Sequence, residues 1–109
     1  MVATLDPISD RVAKIKPENF EGDLIKPGHP FYGYIWVNKE RMSGSPCFTG
    51  SRVPIRHLFD SLKAGETIDE FLVSYRGILY QQCTGVLEMA ASGLLCEFEE
   101  SRGFFSTTA

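Results

Sequence analysis

The sequence predicts a small, mostly α-helical protein, a three-helix bundle of the helix-turn-helix type preceded by a short β-hairpin. From Pro54 onward, apolar residues recur at helical spacing in three segments separated by turns that contain glycine. Before them, the aromatic and β-branched run at 32–37 has the composition of a strand. With 109 residues the chain is one small domain, divided into an arm (1–31), a core (32–93) and a tail (94–109).

The N-terminal arm begins with a predicted short helix. Asp6 followed by Pro7 is typical of an N-cap and a first helical position. Ile8, Val12 and Ile15 then recur at positions i, i+4 and i+7, which gives such a helix one apolar face. Prolines and glycines keep the rest of the arm irregular. We expect the arm to pack on the core or on a partner.

The β-hairpin is predicted from YGYIWV (32–37) and CFTGSRV (47–53). The stretch SGSPCFTGSRVPI (43–55) lacks the spacing of a phosphate-binding loop, because Ser51 stands where lysine is required. It also lacks the G-x-S-x-G pattern of a nucleophile elbow. We interpret it as a strand-to-helix connector, in which Arg52 has either a functional charge or an internal salt bridge.

The three bundle helices follow directly. The first covers residues 55–62 and ends before Gly65, which suits a left-handed position after a helix. Thr67 and the glutamate three residues later form a capping box for the second, which Gly77 ends.

The third helix is predicted over residues 79–92, with its end at Gly93. Beyond it, apolar and acidic residues alternate, which is compatible with an edge strand or with a mobile tail.

Composition and charge limit the classes of function. The net charge is −3, and the last third of the chain (77–109) has one basic and four acidic groups, a balance that disfavours tight nucleic-acid binding. The N-terminal sequence lacks a signal-peptide pattern and no apolar run is long enough to span a membrane, so we expect a cytoplasmic protein.

Cys47, Cys83 and Cys96 are odd in number and lack metal-ligand spacing, so they predict small buried hydrophobes. The two histidines, His29 and His57, lack a nucleophile partner; we expect no enzyme, no metal and no cofactor.

The polar face of the third helix is the candidate DNA-binding surface. Glutamine can hydrogen-bond adenine and threonine can contact the thymine methyl group, whereas arginine holds phosphates. The candidate residues are Gln81, Gln82 and Thr84 for bases, Tyr80 beside them, and Arg76, Arg52 and Arg56 for phosphates. The alternative is an ordinary solvated face of a bundle helix.

The spaced motifs in this chain resemble the bacterial domain of unknown function family 433. The connector G-x-P-x-F-x-G-S-R-V-P, the Ala64–Gly65 helix end and the capped helix ending at Tyr75 carry the resemblance, over about 34–93. It implies a homeodomain-like trihelical fold, often dimeric, and an antitoxin paired with a nuclease toxin. One departure lies at Leu79, where the family has a hydroxyl residue that caps the recognition helix. The absence of this N-cap hydroxyl costs about 1 kcal/mol of helix stability.

Two functional hypotheses follow. In the first, the chain is a homodimeric, antitoxin-like regulator that binds operator DNA and a toxin, with the arm or the tail residues Phe98, Phe104 and Phe105 docking on the toxin. In the second, it is a dimeric protein-interaction module without DNA-binding or catalytic activity.

Overall fold

The computed structural model describes residues 6–100, with side chains for residues 6–95. This part is mostly helical and contains one two-stranded antiparallel sheet. The prediction of a mostly α-helical protein with a short β element is therefore confirmed. The elements in order are α1 (Pro7–Lys14), β1 (Ile35–Trp36), β2 (Cys47–Phe48), α2 (Arg56–Lys63), α3 (Ile68–Ser74) and α4 (Tyr80–Glu100). Two short 3-10 helices, Pro17–Phe20 and Met42–Gly44, lie in the connections.

Helix α1 forms where it was predicted and packs on the core. The Asp6 carboxylate accepts a hydrogen bond from the Ser9 N–H at 2.9 Å, which satisfies one free donor of the first turn. A Cβ atom placed on Gly33 would come within 2.5 Å of Ile8 Cγ2. The aliphatic part of the Arg11 side chain likewise lies against Gly50, close to where a Cβ atom would be. Glycine at 33 and 50 therefore lets α1 approach the loops around the sheet closely.

The sheet is shorter than predicted. Ile35 lies opposite Phe48, and Trp36 lies opposite Cys47. The second predicted strand is cut short because the chain turns back on itself after Phe48: the Ser51 N–H donates to the Phe48 carbonyl, and the Phe48 N–H donates to the Val53 carbonyl. Gly50 takes a φ of +88° in this turn, a conformation that glycine adopts without strain.

The capping features predicted for α2 and α3 are confirmed. After α2, Gly65 has a φ of +94° and its N–H donates to the Leu62 carbonyl. At the start of α3, the Thr67 hydroxyl accepts from the Glu70 N–H at 3.1 Å, and the Glu70 carboxylate accepts from the Thr67 N–H at 2.8 Å. Both halves of the capping box are therefore formed.

The hydrophobic core lies where α2, α3 and α4 meet the sheet. Its buried members are Ile35, Phe48, Leu58, Phe71, Ile78, Cys83 and Val86. The rings of Phe48 and Phe71 lie 6.0 Å apart between centroids, so the sheet and α3 contact each other directly. Each large side chain buried here stabilises the fold by roughly 1.5–3 kcal/mol.

Helix α4 extends past its predicted end. It continues through Gly93 to Glu100, so the predicted helix end at Gly93 and the edge-strand alternative for 94–100 are wrong, because these residues are helical. A glycine inside a helix costs only about 1 kcal/mol relative to alanine, and the leucines and glutamates that follow are strong helix formers. Helical propensity therefore prevails over the alternating pattern, which predicts a strand only where a neighbouring strand pairs with it.

Candidate functional site

The start of α4 exposes part of the predicted DNA-binding set. Arg76 lies in the turn before the helix and is exposed, as is Gln81. Tyr80 is 49 % exposed. Thr84 is only half-buried, and its hydroxyl donates to the Gln81 carbonyl at 3.2 Å. These four predicted residues therefore lie close together in the chain at the start of α4, and three of them are exposed.

Gln82 is a correction to the prediction. Its side chain is fully buried, so it does not face the solvent where bases were expected. Its Nε2 donates to the carbonyl oxygens of Thr49 at 2.9 Å and of Gly33 at 3.3 Å. Its Oε1 accepts from the Leu79 N–H at 3.0 Å, which is the half of a capping box that a glutamine at the third helical position supplies. Gln82 therefore supplies one half of a capping box at the start of α4, the half that does not depend on a hydroxyl at position 79, and ties α4 to the sheet loops.

The two remaining arginines of the predicted set lie on other elements, Arg52 in the turn after β2 and Arg56 in α2. Arg56 projects from α2 with its side chain 85 % exposed, and its Nε lies 4.0 Å from the Asp60 carboxylate on the same helix. Such an exposed pair contributes little to stability. Arg52 is exposed and makes no ion pair within residues 6–95. Of the two alternatives for Arg52, an internal salt bridge is therefore not formed in the described part of the chain.

Helix α1 adds basic residues beside the start of α4 that do not belong to the predicted DNA-binding set. A cleft of about 380 Å³ lies between α1 and Leu79, and Arg11 and Lys14 line it. Lys14 pairs with Asp10 at 3.0 Å, so its charge is partly balanced. The sequence signal for these basic residues was their position in the last turn of the predicted arm helix.

The second half of α4 exposes apolar side chains. Contacts with the core reach Met89, whereas residues 90–95 are all exposed, with Leu94 at 60 % and Leu95 at 64 %. At the base of this segment a groove of about 550 Å³ is lined by Phe31, Tyr34 and Met89 among others.

The predicted partner-binding phenylalanines lie outside what the structure describes. Phe98 belongs to α4, but its side chain lies outside the described set, and Phe104 and Phe105 lie outside the described residues. They remain predictions.

The two cysteines whose side chains the structure describes, Cys47 and Cys83, are buried. Burial raises the pKa of the Cys83 thiol to about 11 and also raises the pKa of Cys47, so both stay protonated at neutral pH. His57 lies 3.3 Å from the Tyr75 hydroxyl on an exposed surface. Within residues 6–95 no cluster of histidine, cysteine or acidic side chains could hold a metal ion. Among the described helices none is both long and apolar enough to cross a membrane.

Comparison with known proteins returns one family. No curated protein and no solved structure matches the chain. A family model described as a protein of unknown function, DUF433, matches residues 35–93, from β1 to the middle of α4. This segment contains the strand pair, α2, α3 and the core-packed half of α4. Because the match covers more than half of the sequence, the chain belongs to the DUF433 family.

Proposed function

We propose that this chain is a dimeric protein-interaction module whose second copy binds the projecting half of α4, residues 90–100. The observation that carries the proposal is the exposure of Leu94 and Leu95 on a helix that continues beyond its own core. Helices in proteins derive most of their stability from packing an apolar face. A partner that covers this segment supplies that packing.

A second copy of the chain fits this surface because both complementary shapes lie on the same molecule. The leucines project from α4, and the groove lined by Phe31, Tyr34 and Met89 lies at the base of the same helix. In a two-fold dimer, the leucines of each copy enter the groove of the other, so both grooves are filled. Ala90, Ala91 and Gly93 are small enough to let the two helices approach closely.

Charge favours an antiparallel arrangement of the two α4 helices. The sequence places Glu97, Glu99 and Glu100 at the C-terminal end of α4. Parallel helices would bring these groups together, and they would also meet at the negative ends of both helix dipoles. Antiparallel helices separate the two acidic ends.

The test is the molecular mass in solution, measured by analytical ultracentrifugation over a range of concentrations. We expect the natural chain to dimerise and the double variant Leu94→Glu, Leu95→Glu to be monomeric. Val73→Glu is the matched control, because Val73 is 69 % exposed on α3 and lies outside this surface. A monomer at all concentrations, or a dimer that the double variant leaves intact, would contradict the proposal.

A second candidate is the antitoxin-like regulator, in which the start of α4 binds operator DNA and the partner is a nuclease toxin. The joint exposure of Arg76, Tyr80 and Gln81 favours it. Fluorescence anisotropy with DNA from upstream of the gene, against a scrambled duplex at two salt concentrations, tests this function. Sequence-selective binding that weakens with salt, and that Gln81→Ala reduces, supports it. Equal or absent binding to both duplexes rejects it.

A further inference from the structure

The turn before β1 contains a hydrogen bond that only one protonation state of a histidine can form. The Phe31 N–H donates to the His29 Nδ1 atom at 3.0 Å. A backbone N–H can only donate, so Nδ1 is unprotonated and the proton of the neutral imidazole lies on Nε2. In mildly acidic solution both ring nitrogens carry a proton, and two donors then face each other. Protonation of His29 therefore breaks this bond.

The bond holds the backbone of a residue that lines the groove at the base of α4. The Phe31 carbonyl oxygen accepts from the Tyr34 N–H at 3.0 Å and from the Ile35 N–H at 2.9 Å, so Phe31 is also tied to the start of β1. The rings of His29 and Phe31 pack edge to face, with 5.0 Å between centroids. Phe31 and Tyr34 are both groove residues. The state of His29 therefore bears directly on one wall of the groove.

The charged groups near the turn act on the imidazole in both directions. Within the described part of the chain His29 makes no ion pair. Lys26 belongs to the same turn, where its carbonyl oxygen accepts from the His29 N–H at 3.1 Å, and its ammonium group disfavours a second positive charge nearby. Glu88 lines the groove from α4 and has the opposite effect. Helix α1 contacts the loop at Gly33 through apolar side chains.

We propose that His29 is a proton switch for the surface that binds the second copy. The neutral imidazole holds Phe31 in place and permits dimerisation, and the imidazolium releases it. This role rests on the proposed dimer, in which the leucines of the second copy fill the groove. Phe31 can relax after its bond breaks in the monomer but not in the filled groove, so protonation costs more in the dimer. The dimer then binds protons less tightly than two monomers do, and its dissociation constant rises as the pH falls.

NMR spectroscopy of the isotope-labelled chain reads the local switch, whether or not the chain dimerises. At about pH 8 we expect the His29 Nδ1 resonance of an unprotonated ring nitrogen, and the Phe31 amide resonance should titrate together with the His29 ring down to about pH 5. His57 is the reference within the chain, because its Nδ1 lies near the Tyr75 hydroxyl and not a backbone N–H. A protonated Nδ1 at the higher pH, or a Phe31 amide that does not follow His29, overturns the proposal.

Analytical ultracentrifugation at about pH 8 and about pH 5.5 connects the switch to dimerisation. For the natural chain we expect a dissociation constant about fivefold higher at the lower pH, because a hydrogen bond of ordinary strength is lost. His29→Asn keeps an acceptor that reaches the N–H two residues on but does not titrate, so it should dimerise equally at both pH values. His29→Ala lacks the acceptor and should dimerise weakly at both.

Two further variants separate other charges from the switch. His57→Ala, at the other histidine, and Glu88→Gln, which removes the carboxylate of the groove, should both keep the weakening at the lower pH. A natural dimer equally stable at both pH values overturns the proposal, and so does an undiminished pH dependence in His29→Asn. A chain that is monomeric at both pH values overturns the proposed dimer and its control by His29, whereas the NMR titration decides the local switch separately.

Discussion

The Gln82 side chain joins α4 to the loop after β2 through a 2.9 Å hydrogen bond from its Nε2 to the Thr49 carbonyl oxygen. Both residues are buried, and the same glutamine also bonds Gly33 and Leu79. A polar side chain is stable in a core only when its groups have partners. Gln82 meets that requirement while it satisfies backbone groups of two other segments.

Replacement of Gln82 should therefore destabilise the fold strongly. In Gln82→Ala the Leu79 N–H and the two loop carbonyls lose their partner and a cavity opens, so we expect a loss of about 2–4 kcal/mol in the free energy of unfolding. Urea denaturation followed by circular dichroism measures it. Gln81→Ala, at the exposed neighbouring position, should change stability by less than about 0.5 kcal/mol. Similar losses in both variants would show that Gln82 has no special structural role.

Replacement of two glycines of α4 by alanine should change the free energy of unfolding in opposite directions. A Cβ atom on Gly85 would overlap the Tyr34 ring, so Gly85→Ala should lower stability by about 1–3 kcal/mol through overpacking. Apart from its chain neighbours and the backbone of its own helix, no atom of the described residues lies within 4 Å of a Cβ atom on Gly93, so Gly93→Ala should raise stability by about 0.5–1 kcal/mol. Thermal unfolding of the two variants side by side tests the pair. Stabilisation by Gly85→Ala would contradict the packing described for Tyr34.

The capping box of α3 should account for a measurable part of its stability. Thr67→Ala removes the hydroxyl that accepts from the Glu70 N–H, and we expect a loss of about 1 kcal/mol. Ser74→Ala serves as control, because it removes an exposed hydroxyl from the other end of the same helix. The free energy of unfolding of both variants is measured by chemical denaturation. The difference between them gives the contribution of the cap, because both variants lose a hydroxyl group.

Stability should fall in alkaline solution because of Cys83. Burial raises the pKa of this thiol from 9.0 to about 11, so between these values the unfolded chain loses the proton while the folded chain keeps it. The folded state then binds more protons, and the free energy of unfolding decreases as the pH rises, by about 2 kcal/mol from this group. The stabilisation is complete below pH 9. Denaturation of the natural chain and of Cys83→Ala from pH 8 to 11 should show the smaller decrease in the variant.

Local signals in the sequence were sufficient for most of the helix boundaries. Asp6, Thr67 and Gly65 were assigned correctly because each acts on backbone groups within about three residues. The length of the strands and the end of α4 were predicted wrongly, because both depend on which segments lie beside them. The strands end where the chain turns back on itself, and α4 continues where no strand pairs with residues 94–100.

The candidate site likewise has features that depend on local sequence and features that depend on tertiary contacts. The sequence by itself determined that polar side chains cluster at the start of α4, since their spacing along one helix sets their neighbours. Only the tertiary structure decided that Gln81 faces solvent and Gln82 the core. The two are chemically identical neighbours about 100° apart on the helix. The two loop carbonyls that accept from Gln82 lie 33 and 49 positions away in the chain, and folding alone brings them to the side chain.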